Sequence, residues 1–265
     1  MKKPILIAAV ILALIGGIAA YLYGQHSQPK MEPVQMQAPP PLPPAKPEVR
    51  QVIEAVPIAP PLPVLAESDN FMLDALAGLI GNKSLMKLFH VERVIRNIVV
   101  TVDNLPRKTV SMKVLPLKPA SGSFIAVSNE GELAISPKNA ARYTAYVKTA
   151  EAMDAKKLVE LYVRLYPLFQ QAYEELGYPK KYFNDRLIEA IDNLLDTPAI
   201  KEPVKLVRPH VFYQFADPEL EDRSIGQRIL MRIGSANAAV IKTRLGEIKQ
   251  ELKLHMHEKK VESVG

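Results

Sequence analysis

The sequence predicts a mainly α domain with a small β element (α+β), a helical globular domain behind an N-terminal transmembrane helix and a proline-rich linker. Three observations lead there. Ile5 to Tyr23 is an uncharged apolar run preceded by Lys2 and Lys3. More than half of the chain's 23 prolines fall between Gly24 and Ala66. From Ser136 onward, apolar residues recur at helical spacing between recognisable caps, while one short stretch around Gly131 carries a hairpin signature. The resulting division is a cytoplasmic tip and anchor at 1–23, a disordered stalk at 24–66, a domain at 67–255 and a flexible tail at 256–265.

The anchor is argued from length. At about 1.5 Å per residue, Ile5–Tyr23 spans a hydrocarbon core of roughly 30 Å. Lys2 and Lys3 place the N-terminus in the cytoplasm by the positive-inside rule, with Tyr21 and Tyr23 at the outer interface. A cleaved signal peptide competes, since Gly17, Ala19 and Ala20 offer small residues. The run is longer than the usual apolar region of such a peptide, which favours an anchor. In the stalk, proline removes amide donors and disfavours helix, leaving polyproline II or disorder. Pro39-Pro40-Pro41-Leu42-Pro43-Pro44 reads as a spacer, with a proline-groove ligand as the alternative.

The domain opens with a short helix from Asn70 to Leu79, broken at Gly81-Asn82. Ser84 caps a further turn to Phe89. Glu92–Val102 has helical spacing, but its β-branched content keeps a strand open. Leu105–Ala120 is irregular. Phe124–Val127 and Leu133–Ile135 form a hairpin, with Gly131 supplying positive φ. Ser136 with Pro137 starts a helix to about Ala152. Asp154 caps the strongest helix, which buries Leu158, Leu161, Tyr162, Leu165, Phe169, Ala172, Tyr173 and Leu176. Pro167 should kink it, and Gly177 ends it. Another helix runs from Asn184 to Leu195. Val204–Tyr213 reads as extended, interrupted by Pro209. Asp217-Pro218 opens a helical turn. Ser224 and Gln227 make a capping box for a helix that ends at Gly234. Ser235 caps the last helix, buried through Ala238, Ile241, Leu245, Ile248 and Leu252.

Composition removes several functions. With no Cys, the chain has no disulfide, no thiolate nucleophile and no Cys-ligated zinc or iron–sulfur centre. The net charge of +6 is spread along the chain, so no nucleic-acid footprint stands out. His255 and His257 are spaced by two and do not share a helical face, so no metal is expected, and no cofactor. The carboxylates at Asp217, Glu219, Glu221 and Asp222 are consecutive, as in a capped helix start, rather than opposed as glycoside hydrolysis requires. Tyr143, Tyr146, Tyr162, Tyr166 and Tyr173 either line a groove or sit in the core.

The strongest binding candidate is the aromatic-rich segment from Arg208 to Asp217. Arg208, His210 and Tyr213 would share a face in a strand-like chain. Arg208 would clamp an anion, Tyr213 would offer a ring and hydroxyl, and His210 would exchange a proton. The plainer reading makes Tyr213 core, Arg208 half of an ion pair and His210 a packed ring. No catalytic residue is assigned.

Three stretches belong together: Leu165-Tyr166-Pro167-Leu168-Phe169 with Ala172 to Tyr178; Phe183-Asn184-Asp185-Arg186-Leu187; and Phe215 to Glu221 with Gly226-Gln227. With the anchor and stalk, they make the chain resemble a bacterial family catalogued as domain of unknown function 3014. The resemblance spans roughly Ser68 to Leu252. It implies an envelope protein of proteobacterial type and carries no activity, cofactor or catalytic residue. The expectation is a single-pass inner-membrane protein, held through Ile5–Tyr23, whose periplasmic domain binds an envelope protein partner. The alternative is an envelope hydrolase with a site assembled from distant residues.

Overall fold

The computed structural model describes residues 50–52, 61–80, 90–108, 118, 120–151, 154–210 and 212–259. The expected membrane helix, residues 24–49 and 53–60 of the stalk, the turn capped by Ser84 and most of the irregular 105–120 stretch lie outside them. In chain order the elements are β1 (Arg50–Val52), a 3-10 turn (Leu65–Glu67), α1 (Ser68–Ile80), α2 (Val94–Asn104), β2 (Ala126–Asn129), β3 (Glu132–Ile135), α3 (Lys138–Arg142), α4 (Thr144–Glu151), α5 (Ala155–Glu175), α6 (Phe183–Leu195), β4 (Lys205–Val207), β5 (Gln214–Phe215), α7 (Pro218–Glu221), α8 (Ile225–Arg232), α9 (Ser235–His255) and β6 (His257–Lys259). Helices dominate. The main core lies where α2, α5, α6 and α9 pack on one another, with Leu76, Ile95, Leu165, Phe183 and Ile191 fully buried.

Residues 94–104 form a helix, which resolves the helix-or-strand ambiguity. Val94, Ile95, Ile98, Val99 and Val102 are all buried. The start of α2 is capped from outside: the Asp69 carboxylate on α1 accepts from the amides of Arg93 at 2.7 Å and Val94 at 2.8 Å. Packing and this borrowed cap outweigh the β-branched propensity. In α5, Asp154 accepts from the Lys157 amide at 3.1 Å, as its capping role requires. The buried face is narrower than its periodicity suggests, because Leu161 is half-buried and Leu176 is exposed. The helix runs on through Pro167, which is exposed, and the chain turns at Gly177 with φ of 114°.

β2, β3, β4 and β5 form an antiparallel sheet in that order. The Glu130-Gly131 turn joining β2 to β3 has positive φ at both residues, 52° and 86°, the primed geometry that matches strand twist. Val204, Leu206, Phe215 and Met231 make a second, smaller core.

Several boundaries differ from the sequence reading. The expected helix from Ser136 to Ala152 is two helices broken at Tyr143, whose amide turns back to Ala140 O at 3.1 Å. Ser235 is the first residue of α9, not its cap. Gly234, with φ of 96°, holds the cap position, and the Ser235 hydroxyl donates to Glu202 at 2.9 Å. Half of the capping box is present: Ser224 Oγ accepts from the Gln227 amide at 3.2 Å. The Gln227 side chain reaches away instead, donating to Asn193 O at 2.8 Å and tying α8 to α6. The interruption expected at Pro209 in Val204–Tyr213 is present. β4 ends at Val207, and the chain bends before β5.

The folded part also reaches past both expected edges. Leu65, placed by sequence in the stalk, and Met256, placed in the tail, are buried in the main core. β1 pairs with β6, with Arg50 opposite Lys259 and Val52 opposite His257. The reason is visible in composition: no proline falls between Pro47 and Pro57, so Arg50–Val52 keep the amide donors a strand needs.

Candidate functional site

Among the described residues, three concavities compete. One is an apolar cavity of about 50 Å³ inside the helical core, lined by residues such as Met72, Ile98, Leu165 and Phe183. A water's share of the liquid is about 30 Å³ and ligand pockets start near 300 Å³, so this is a packing void. The second, about 410 Å³, lies where α1 and α2 begin, beside Asp69, Arg93 and Arg96. Its carboxylate is already spent on capping α2. The third is a cleft of about 470 Å³ lined by Asp103, Arg107, Tyr173, Tyr178, Lys180, Lys181, Tyr182, Asp185, Arg186 and Glu189.

Four pieces of chain build this cleft: the end of α2, the end of α5, the loop after Gly177, and the first turns of α6. The loop is fixed by Gln170. Its carbonyl oxygen accepts from the Phe183 amide at 2.9 Å, and its amide donates to Lys181 O at 2.9 Å. At the base lies Asp103, with its side chain 7% exposed. A carboxylate in the last turn of a helix opposes the macrodipole, and burial adds a desolvation cost. Two arginines offset both. Arg107 Nη2 donates to Asp103 Oδ2 at 2.6 Å, and Arg186 Nε donates to Oδ1 at 3.0 Å. Both guanidinium groups also donate to the Asp103 carbonyl, satisfying a backbone acceptor that the helix end leaves open. Arg107 Nη2 reaches Tyr178 Oη at 2.7 Å, and Arg186 Nη1 pairs with Glu189 at 2.6 Å.

One wall is aromatic. The Tyr173 and Tyr178 rings stack with centroids 4.6 Å apart, and Lys181 Nζ sits 5.9 Å from the Tyr178 centroid. Burial, then the nearby Asp103 carboxylate, pushes the Tyr173 pKa up to about 12, so this ring keeps its proton at neutral pH. Burial by itself would lower the Arg107 pKa. The Asp103 carboxylate and the Tyr178 hydroxyl outweigh it and hold the value above the ordinary one. Chemically, the site is a rigid wall of mutually paired charges beside a stacked ring pair, with Lys180 and Lys181 exposed at the rim.

The structure brings two of the three sequence candidates together. The Arg208 guanidinium lies 5.2 Å from the Tyr213 ring centroid, while His210 is exposed in the bend between β4 and β5. Behind them Tyr213 packs on Phe124 at 5.7 Å, and Arg232 donates to Tyr213 O at 2.9 Å. Of the five tyrosines weighed as a groove, all are buried. Tyr162 donates to Asn184 and Tyr166 donates to Gln170, so these are core rings with satisfied hydroxyls. Tyr173 alone of the five also lines the cleft. Sequence reasoning did not assemble this cleft. An i, i+4 acidic–basic pair at Asp103 and Arg107 was a readable signal, whereas the convergence of Arg186 and Tyr178 on Asp103 is tertiary.

Fold and cleft together define a mainly helical α+β domain with an ion-paired, tyrosine-walled cleft. The chain belongs to the family described as "Protein of unknown function (DUF3014)", whose match covers residues 94–249. That span contains every residue lining the cleft. Two of the three stretches that carry the resemblance, around Tyr173–Tyr178 and Phe183–Leu187, border the cleft. No curated protein and no solved structure matches the chain.

Proposed function

We propose that the protein is a membrane-anchored binding or scaffold module of the bacterial cell envelope, with its N-terminus in the cytoplasm and its domain in the periplasm. The anchor rests on the sequence of Lys2, Lys3 and Ile5–Tyr23. Among the described residues no helix is long and apolar enough to cross a membrane, and Ile5–Tyr23 lies outside them.

The observation that carries binding is the pairing inside the cleft. Asp103, Arg107, Arg186 and Glu189 are held by one another at 2.6–3.0 Å, an arrangement that presents fixed charge to a partner. A hydrolase needs a carboxylate poised to exchange a proton opposite a second group. Here Asp185 and Glu189 lie about one turn apart on the same helix, and Asp103 is engaged by two guanidinium groups. That chemistry favours recognition over turnover.

The test uses the full chain in its native membrane, with a photo-crosslinking side chain placed at Pro179, exposed beside the cleft, or, as a control, at the exposed Lys156. The expected result is an adduct to an envelope protein from position 179, absent from position 156. Identical adducts from both positions, or none from 179, would overturn the reading. Alkaline phosphatase fused after Gly265 should be active in intact cells. An inactive fusion, with a fluorescent protein at the same place fluorescing, would put the domain on the cytoplasmic side.

A further inference from the structure

We infer that the cleft beside Asp103 recognises an acidic peptide segment, engaging the peptide's carboxylate through Arg107, Lys180 and Lys181; this rests on the binding-module reading. The argument begins with which donors remain. Arg107 spends Nε and Nη2 on Asp103 and Tyr178. Its Nη1 makes no hydrogen bond among the described residues, and its side chain is 43% exposed. Among the described residues Lys180 forms no ion pair, and the Lys181 ammonium lies against the Tyr178 ring face without an ion pair. Arg186, by contrast, is 15% exposed and committed to Asp103 and Glu189. The unspent positive charge therefore lies at the loop and the end of α2.

The opposite side carries the other sign. Asp185 and Glu189, in the first turns of α6, line the same volume. A phosphate dianion entering the cleft would meet repulsion from both, with no N–H groups of its own to offer them. A peptide carries both kinds of group. Its side-chain carboxylate matches the Arg107–Lys180–Lys181 side, its backbone amides can donate to Glu189, whose side chain is 58% exposed beside Arg186, and its aliphatic atoms can lie on the Tyr173–Tyr178 stack. A volume of about 470 Å³ accommodates such a segment. The recognition is directional, because reversing the peptide's charge places like against like on the lysine side.

The experiment uses the full chain purified in detergent and a fluorescein-labelled hexapeptide alternating glutamate and alanine, read by anisotropy. A glutamine-for-glutamate peptide and inorganic phosphate serve as comparison probes. The expected result is saturable binding of the glutamate peptide that weakens with salt. Lys180→Glu should weaken it by about tenfold or more, as charge reversal at an interface does, while Lys156→Glu should leave it unchanged. Absence of saturable binding, equal binding of the glutamine peptide, or binding of phosphate without the peptide would each overturn the inference. The photo-crosslink from position 179 separates the two claims. If it persists while the peptide fails, the binding module stands and the ligand class falls. If both fail, both fall.

Discussion

Asp103 is the residue on which the cleft turns. Its carboxylate is buried, sits against a helix dipole, and is held by two arginines. Removing one partner of such a buried set leaves uncompensated charge, so Asp103→Ala should cost about 3–5 kcal/mol in urea unfolding. Lys180→Ala, at an exposed rim position, should stay within about 0.5 kcal/mol. Comparable losses for the two would contradict the assignment of Asp103 as base and Lys180 as rim. Tyrosine titration is a second residue-scale consequence. Tyr173 is raised from 10.0 to about 12, and burial raises Tyr162 and Tyr166 in the same direction. A group whose pKa is higher folded than unfolded stabilises the fold below its unfolded value and loses that contribution as pH rises through the folded value. The urea midpoint should therefore hold up to pH 10 and fall between pH 10 and 12, in step with tyrosinate absorbance. A level midpoint across that range would show these rings to be solvated.

At the scale of elements, α5 and the α6–α8 contact carry the clearest tests. Leu165 is fully buried and Leu161 half-buried. Leu165→Ala should cost about 2–5 kcal/mol, and Leu161→Ala clearly less. Equal costs would mean that the helix face is set differently. Gly226 in α8 packs against α6: a Cβ there would lie 2.6 Å from Leu194 Cδ2 and 3.1 Å from Leu105 O. Gly226→Ala should destabilise by about 1–3 kcal/mol through overpacking, with calorimetry as the check. These elements were also the legible ones. The Asp154 cap, the Gly177 stop and the 3,4 spacing of α9 are local signals, and the structure follows them. The break at Tyr143 was not legible, because periodicity averages over a single interrupted residue pair, whereas Pro209 marked the interruption after β4. The Asp69 cap on α2 and the Gln227 link to Asn193 join residues far apart in sequence, and no local pattern encodes them. The cleft was hidden for the same reason. Its parts come from four segments: the Asp103–Arg107 and Arg186–Glu189 spacings each lie within a helix turn, but the meeting of the segments does not.

At the scale of the whole molecule, the two ends of the domain meet: β1, emerging from the proline-rich stretch, pairs with β6 beyond α9. Leu65 is part of the core. A chain starting at residue 67 should therefore melt below one starting at residue 61, and equal melting would place Leu65 outside the cooperative unit. The central claim is that the charged base of the cleft is kept for recognition rather than stability. A buried ion pair can often be replaced by apolar residues of similar size without loss of stability, whereas breaking one side is costly. The most direct measurement is the double replacement Asp103→Leu with Arg186→Met, made in the full chain with the crosslinker at position 179, with melting temperature and adduct yield read from the same sample. The account predicts melting at or above the wild-type temperature and loss of the adduct. A folded double variant that captures its partner as the wild type does would contradict it.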